Sequence, residues 1–267
     1  MTAGLLGGSA QADEPVKGLL YAHRGGAHEF EENTMDAFRK SYEKGIRGFE
    51  TDVRITKDGE FVILHDDSLD RTHNATGHVE EKTAAELRST KTKKGDQPLL
   101  FLDDLLTYFA DKPGVYLEME MKVGNKTLYP DSKLDGYCRK LVKAVKAKQP
   151  KDSTYVLASF DERPLKIVKE VAPETHLMLI TGGPCSPELI KKGKELGVNR
   201  VAFQMNGSTR ASVRAAQKAG LLTNGWPGHT LQDYYLAVGL GVDGICSDIP
   251  NTVQAWKLKH ESSNGSR

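Results

Sequence analysis

Short apolar runs alternate along this chain with longer stretches in which apolar positions recur at helical spacing. The short runs are rich in β-branched residues and predict strands, while the period of about 3.6 residues between them predicts helices. Regular alternation of the two is typical of βα units in a parallel sheet. The predicted strands run over Leu19 to Ala22, Gly48 to Ile55, Gly114 to Met121, Tyr155 to Ser159, His176 to Ile180, Arg200 to Phe203, Leu221 to Asn224 and Gly244 to Ser247.

Helix signals between these strands support the same interpretation. Asn33 or Thr34 is placed to cap the first helix, and glycines such as Gly197 stand where helices are expected to end. Eight units predict an α/β fold, a closed (β/α)8 TIM barrel. An open doubly wound sheet is the alternative, but no G-x-G-x-x-G motif follows the first strand. The main helices are predicted over Thr34 to Lys44, Leu134 to Ala147, Asp161 to Val171, Ser186 to Leu196, Ser208 to Ala219 and Leu231 to Val238.

The segment from about residue 57 to 111 departs from this alternation. The Asp58-Gly59 pair predicts a turn that folds a short strand, Glu60 to Leu64, back on the second strand. Phe101 to Ala110 has the spacing of an extra helix. We therefore expect one domain over residues 17–267, with a small insertion over the barrel mouth after the second strand.

The second predicted strand carries two carboxylates where a buried strand would ordinarily carry valine or isoleucine. Glu50 and Asp52 point to the same face because side chains alternate along a strand. Burying both is costly without a positive partner. Glu120 on the third strand shares a face with Glu118 and Lys122. The all-oxygen set Glu50, Asp52 and Glu120 predicts a site for one divalent cation, Ca²⁺ or Mg²⁺.

Histidine and cationic residues follow the strands at the end where a TIM barrel places its active site. His23 and Arg24 follow the first strand, and His65 follows the predicted hairpin. A side-chain pKa of about 6.5 suits His23 and His65 to proton transfer in both directions. Arg24 and Lys122 can either balance the carboxylates or bind a phosphate. Five other histidines are expected to have surface or packing roles: His28, His73, His78, His176 and His229.

The amino-acid composition of the chain argues against several classes of binding partner. The chain has 37 Lys+Arg against 36 Asp+Glu, so its formal net charge of +1 gives no overall field for nucleic acid or an anionic membrane. Its 3 cysteines are widely spaced and predict buried thiols. No apolar run approaches the roughly 20 residues of a membrane span, so stable membrane insertion is not expected.

The amino terminus leaves two possibilities open. Ala10-Gln11-Ala12 before Asp13 has the form of a signal-peptide cleavage site, but the preceding residues lack a basic start. Residues 1–16 are therefore either a signal-peptide remnant, which would imply a periplasmic or secreted protein, or a flexible tail on a cytoplasmic one.

Several short motifs occur in a characteristic order. They are His23-Arg24-Gly25, Glu32-Asn33-Thr34, Glu50-Thr51-Asp52, His65-Asp66, Leu69-Asp70-Arg71-Thr72, Glu120-Met121-Lys122, Ser159-Phe160, Val242-Asp243-Gly244-Ile245 and Ser247-Asp248-Ile249-Pro250. In this order the chain resembles the glycerophosphodiester phosphodiesterases, TIM-barrel enzymes of the phospholipase C-like superfamily. The resemblance extends from about Gly18 to Lys257.

The resemblance implies roles that agree with the chemistry of the residues. It implies that Glu50, Asp52 and Glu120 bind the divalent cation and that His23 and His65 are the general acid and base. It also implies that Arg24 and Lys122 bind phosphate, while Trp226 is a candidate substrate contact. The chain departs from the family pattern at His73 to His78, at Glu118 and at Asn224-Gly225-Trp226-Pro227, positions that concern substrate fit more than the reaction.

The expected function is hydrolysis of a small glycerophosphodiester to glycerol 3-phosphate and an alcohol, either by direct water attack or through a cyclic phosphate. One alternative is a lysophospholipase D or sphingomyelinase D-like activity, which would need apolar surface beside the mouth. A non-catalytic barrel that binds phosphorylated or sugar ligands is another. A glycosidase using Glu50 and Glu120 as its carboxylate pair is disfavoured by the adjacent cations and histidines. Composition and pattern leave the oligomeric state open.

Overall fold

A computed structural model describes residues 18–264 of the chain, with side chains described as far as residue 259. Over these residues, eight parallel strands form a closed barrel, and a ninth short strand pairs antiparallel with the second. The strands are β1 (Leu19–Ala22), β2 (Gly48–Ile55), β3 (Phe61–Ile63), β4 (Tyr116–Met121), β5 (Thr154–Ser159), β6 (His176–Pro184), β7 (Arg200–Gln204), β8 (Leu222–Trp226) and β9 (Gly244–Ser247).

The strand order is β1-β9-β8-β7-β6-β5-β4-β2, and pairing of β1 with β2 closes the ring. The closing seam pairs Tyr21 with Gly48 and Ala22 with Phe49. The predicted α/β class and (β/α)8 TIM barrel are confirmed.

Helices cover the outside of the barrel and connect its strands. Polar side chains cap several of them, as where Thr34 accepts a hydrogen bond from the backbone N–H of Ala37 at 3.2 Å. The helices are α1 (Met35–Glu43), α2 (Ala84–Leu87), α3 (Leu102–Phe109), α4 (Asp131–Lys148), α5 (Glu162–Val171), α6 (Pro187–Leu196), α7 (Arg210–Lys218), α8 (Leu231–Leu240) and α9 (Pro250–Asn264).

The position of helix α3 differs from the one expected from the sequence. It was predicted as an extra helix, but Leu105 and Phe109 are buried in the core between the barrel and the helix layer. The Phe109 ring lies 4.9 Å from that of Phe49 on β2. α3 is therefore the crossover helix from β2 to β4, and the inserted part is shorter than 57–111. That part has its own small core, formed by Val62, Leu64, Leu69, Val79, Ala84, Leu87, Leu99 and Phe101.

The two faces of β4 separate as predicted. Leu117, Met119 and Met121 belong to the core beneath the helices. Glu118 and Glu120 alternate with them and face the barrel interior, where a parallel strand ordinarily carries apolar residues.

Two strands, β6 and β8, extend two or more residues beyond the carboxyl ends predicted for them. β6 extends past Ile180 to Pro184, where it pairs with Gln204 after a register shift. β8 extends past Asn224 and places Trp226 at its carboxyl end.

Of the helices between residues 18 and 264, none combines the length and apolar character needed to cross a bilayer. The cysteines Cys138, Cys185 and Cys246 are free and buried, as predicted. The Ala10-Gln11-Ala12 run lies outside the described residues.

Candidate active site

Three carboxylates meet at the carboxyl end of the barrel. Glu50 and Asp52 face inward from β2, and the register of the parallel pair sets Asp52 beside Glu120 on β4. One carboxylate oxygen from each of the three lies within 4.8 Å of the others. The structure thus brings together the three residues that were predicted as metal ligands.

The pKa values of the two carboxylates on β2 shift in opposite directions. The pKa of Glu50 is raised well above its ordinary value, mainly by burial and then by the negative charge of Asp52. Burial alone would also raise the pKa of Asp52, but Lys122, His65 and Arg24 lower it below its ordinary value. Of the two, Glu50 is therefore the carboxylate whose negative charge the neighbouring cations balance less.

The donor set fits a hard cation. All three side chains offer carboxylate oxygens, which Ca²⁺ and Mg²⁺ prefer. The Oδ1 atom of Asp52 is buried and has no hydrogen-bond partner. Lys122 lies beside the cluster, with its Nζ 2.8 Å from Glu120 Oε1 and 3.7 Å from Asp52 Oδ1. A divalent ion would satisfy the bare oxygen and keep Glu50 ionised.

Arg24 is held against the same carboxylates by an uncommon backbone conformation. Its φ of 51° is in the left-handed region, and its N–H donates to Glu50 Oε2 at 2.9 Å. Its guanidinium Nε lies 3.4 Å from Asp52 Oδ2, and Nη1 donates to Glu32 at 3.2 Å. The guanidinium is thus a fixed positive charge against the acidic cluster, with its Nε buried and without a hydrogen bond.

His23 and Asp248 form a dyad beside Glu50. The Nδ1 atom of His23 hydrogen-bonds to Asp248 Oδ1 at 2.5 Å, and its Nε2 lies 3.8 Å from Glu50 Oε2. Burial would raise the pKa of Asp248, but hydrogen bonds and charge from the histidines bring it down to about 2. An ionised Asp248 only accepts hydrogen bonds, so it places the proton of His23 on Nδ1 and leaves Nε2 for chemistry.

His65 has an equivalent arrangement. Its Nδ1 bonds to Asp66 Oδ1 at 2.8 Å, and Arg71 donates to Asp66 Oδ2 at 2.6 Å. The hydrogen bond from Arg71 is the main reason that the pKa of Asp66 falls to about 2. The buried Arg54 donates to the backbone carbonyl of His65 at 3.1 Å and fixes this loop to β2.

Asn33 is a site residue that its sequence position alone did not reveal. It was one of two candidate helix caps, but Thr34 caps α1. Asn33 has a φ of 57° and donates from Nδ2 to Asp52 Oδ2 at 2.8 Å, while Thr51 donates to its Oδ1 at 3.1 Å. Asn33 thereby orients one predicted metal ligand.

Trp226 lies at the end of β8, packed against the residues that fill the barrel. Its ring contacts that of Phe160 edge-on, with centroids 5.9 Å apart. The indole Nε1 is buried without a hydrogen-bond partner. This position keeps Trp226 a candidate for substrate contact.

Sequence reasoning did not assign roles to Asp66, Asp248 and Arg54. The signal for the first two was present, because Asp66 and Asp248 follow strands within the motifs His65-Asp66 and Ser247-Asp248-Ile249-Pro250. His28 and His229, expected to have surface or packing roles, both contact Asp248.

The chain also matches the sequence model of a known protein family. The model of the glycerophosphoryl diester phosphodiesterase family matches residues 23–252. The chain belongs to this family. The predicted family and enzyme class are confirmed.

Relatives of similar length support the assignment. The chain is 29% identical over 246 residues to a glycerophosphodiester phosphodiesterase of Caldanaerobacter subterraneus subsp. tengcongensis, covering 89% of this chain and 97% of that protein. It is 26% identical to one of Bacillus altitudinis, covering 91% and 98%.

Solved structures share the barrel. A glycerophosphodiester phosphodiesterase from Parabacteroides distasonis matches with a TM-score of 0.76 and 21% identity, over 94% of this chain and 100% of that one. A phosphodiesterase from Oleispira antarctica, solved in complex with its product sn-glycerol-3-phosphate, matches with a TM-score of 0.78 and 20% identity, over 88% and 95%.

Proposed function

We propose that this chain hydrolyses glycerophosphodiesters to glycerol 3-phosphate and an alcohol, using His23 and His65 as general acid and base beside one divalent cation, Ca²⁺ or Mg²⁺. The observation that carries the proposal is the placement of two aspartate-paired histidines beside one acidic cluster. His23 Nε2 lies 3.8 Å from Glu50, and His65 is close enough to Asp52 to lower its pKa.

Charge is the first obstacle to the reaction. A phosphodiester carries a negative charge that repels nucleophiles, and more charge develops on its oxygens in the transition state. When bound, a divalent cation on Glu50, Asp52 and Glu120 supplies compensating positive charge. Arg24 and Lys122 add fixed cations at the same edge of the cluster, and their positive charge would attract the phosphoryl oxygens.

Proton transfer is the second requirement. Asp248 and Asp66 hold the Nδ1 protons of His23 and His65, so both Nε2 atoms remain available. One histidine donates a proton to the departing alkoxide. The other accepts a proton from water, or from a substrate hydroxyl if a cyclic phosphate forms first.

Two alanine variants and two leaving groups test these roles. With glycerophosphocholine as substrate, His23→Ala and His65→Ala should each lower kcat by about 10²- to 10⁴-fold. The second substrate is a glycerophosphodiester with a p-nitrophenol leaving group, which departs as a stable anion and needs no proton from a general acid. The variant that lacks the general acid should therefore recover most of its kcat on that substrate, while the variant that lacks the base should not.

His78→Ala is the matched control, because His78 lies in the insertion and bonds to the backbone carbonyl of Asp67. It should retain the activity of the unmodified chain on both substrates. Near-normal turnover of glycerophosphocholine by His23→Ala or His65→Ala would contradict the proposal. Equal losses on both leaving groups in both variants would contradict the division into acid and base.

Phe160 supports a second candidate activity, on lysophospholipids. Its side chain is 47% exposed and packs edge-on against Trp226 at the end of β8, so it offers apolar surface to an acyl chain. Lysophosphatidylcholine in the same assay, with choline release as the readout, tests this activity. Phe160→Ala should then lower kcat/KM for the lipid but not for glycerophosphocholine.

A further inference from the structure

Two further histidines converge on Asp248, the aspartate of the His23 dyad, and the three residues lie on loops from different parts of the barrel. His28 follows the turn after β1, His229 follows β8, and Asp248 follows β9. His28 Nε2 lies 3.6 Å from Asp248 Oδ2, and His229 Nδ1 hydrogen-bonds to the same oxygen. The two rings stack with centroids 5.2 Å apart.

Backbone contacts fix the three loops relative to one another. The N–H of His28 donates to the carbonyl of Asp248 at 3.0 Å, and the N–H of Asp248 donates to the carbonyl of Gly228 at 2.8 Å. At Gly228 the chain passes so close to β9 that a Cβ would lie 2.5 Å from the carbonyl oxygen of Cys246. These backbone contacts therefore hold His28, His229 and Asp248 close together at the rim of the barrel.

We propose that His28, His229 and Asp248 bind a Zn²⁺-class metal ion at a second site, separate from the all-oxygen cluster. Two imidazoles and one carboxylate form the nitrogen-rich set that zinc prefers over Ca²⁺ or Mg²⁺. One ligand atom of each residue lies within 4.8 Å of the other two. Tetrahedral zinc ligands lie about 3.4 Å apart, so small side-chain rotations suffice.

The solvent exposure of the two histidines also suits an ion that enters from solvent. The side chains of His28 and His229 are 53% and 49% exposed, whereas that of Asp248 is only 3% exposed. Three protein ligands at a solvent-facing rim leave a fourth position for water, as open zinc sites do.

The site would share Asp248 with the proposed acid-base machinery. Asp248 Oδ1 accepts the Nδ1 proton of His23, while Oδ2 faces His28 and His229. An ion on Oδ2 would withdraw charge from the carboxylate and weaken its hold on His23. We therefore expect zinc to inhibit turnover, an effect that rests on the proposed function, whereas zinc binding itself does not.

Zinc binding to the full chain tests the site. Competition with a chromophoric chelator, in millimolar Mg²⁺ to occupy the acidic cluster, should show one Zn²⁺ per chain. The single variant His28→Asn and the double variant with His229→Asn should bind Zn²⁺ at least about 10-fold more weakly. Unaltered binding in the double variant, or no binding by the original chain, would overturn the proposal.

Two controls separate this site from other ligands. His78→Asn removes a histidine of the insertion and should leave the zinc affinity unchanged. Cys246→Ser tests the other nearby set, His23, Glu50 and Cys246. Loss of zinc binding in Cys246→Ser, with retention in the double histidine variant, would place the ion on the thiol set and reject the proposed site.

Activity provides an independent readout. At saturating Mg²⁺, Zn²⁺ should lower kcat of the original chain and should have less effect on the His28→Asn variant. Zinc binding without any inhibition would reject the link to His23. If the chain failed to hydrolyse phosphodiesters at all, the chelator titration would still decide the metal site.

Discussion

At the residue scale, the site depends on carboxylates that the barrel buries without balancing fully. Glu50 is 3% exposed, and the negative charge of Asp52 on the same face of β2 adds to burial in raising its pKa. Lys122 and Arg24 compensate mainly Asp52. Such an arrangement is costly for folding, and a bound divalent cation would reduce that cost.

We expect the activity to depend on a metal because of this imbalance. EDTA should abolish turnover, and added Mg²⁺ or Ca²⁺ should restore it and raise the Tm. Glu50→Gln removes one ligand charge and should raise the metal concentration for half-maximal activity at least about 10-fold. Titrations of activity and of Tm against each metal measure both effects.

Glu118→Gln is the matched control on the neighbouring strand. Burial raises the pKa of Glu118 to about 8, so its carboxyl is mainly protonated at neutral pH and resembles glutamine in shape and charge. This variant should keep the metal requirement of the original chain. Activity that is indifferent to EDTA, or equal effects of the two substitutions, would argue against a metal on Glu50.

At the element scale, the start of α1 joins stability to the site. Over three consecutive residues, Glu32 bonds to Arg24 and Arg71, Asn33 bonds to Asp52, and Thr34 caps the helix. The last turn before the helix thus positions site residues from two loops. The cap is the part of this arrangement that stabilises the helix itself.

Removing the cap should cost stability. Thr34→Ala leaves the N–H of Ala37 without its acceptor and should lower the free energy of unfolding by about 1 kcal/mol. Urea denaturation monitored by circular dichroism measures the change. Thr34→Ser, which keeps the hydroxyl, should retain most of the stability; an equal loss in both variants would show that packing of the methyl group dominates.

At the scale of the whole molecule, the barrel closes through a short seam. β1 pairs with β2 at two positions and with β9 at four. Gly48 allows the close approach at the seam, because a Cβ there would lie 2.5 Å from that of Tyr21 and 2.9 Å from the carbonyl oxygen of Leu20. Closure in turn sets the loop after β1, with His23 and Arg24, beside Glu50.

Gly48→Ala should therefore destabilise the entire barrel. Overpacking at the seam should lower the free energy of unfolding by about 1 to 3 kcal/mol. Gly136→Ala is the control, since Gly136 lies within α4 and no atom lies within 4 Å of its added Cβ. That change should stabilise the helix by about 0.5 to 1 kcal/mol. Thermal and urea unfolding compare the two, and equal stability of both variants would refute the importance of the seam.

The barrel and its three clustered carboxylates could be predicted from the sequence, because both depend on the alternation of apolar and polar residues over short segments. The eight strands follow from apolar period and β-branched residues, and the bounds of β1, β2 and β9 agree with prediction. Glu50, Asp52 and Glu120 stood out because strand alternation places charges on one face. These are properties of neighbours along the chain.

The remaining features of the site depend on contacts between segments that are distant in the sequence. His23 and Asp248 are 225 positions apart, and only barrel closure makes them a dyad. The convergence of His28 and His229 on Asp248 and the turn of Asn33 toward Asp52 depend likewise on where three-dimensional packing brings the loops. No periodicity encodes such distances, because they are set by the register and closure of the sheet rather than by adjacent residues.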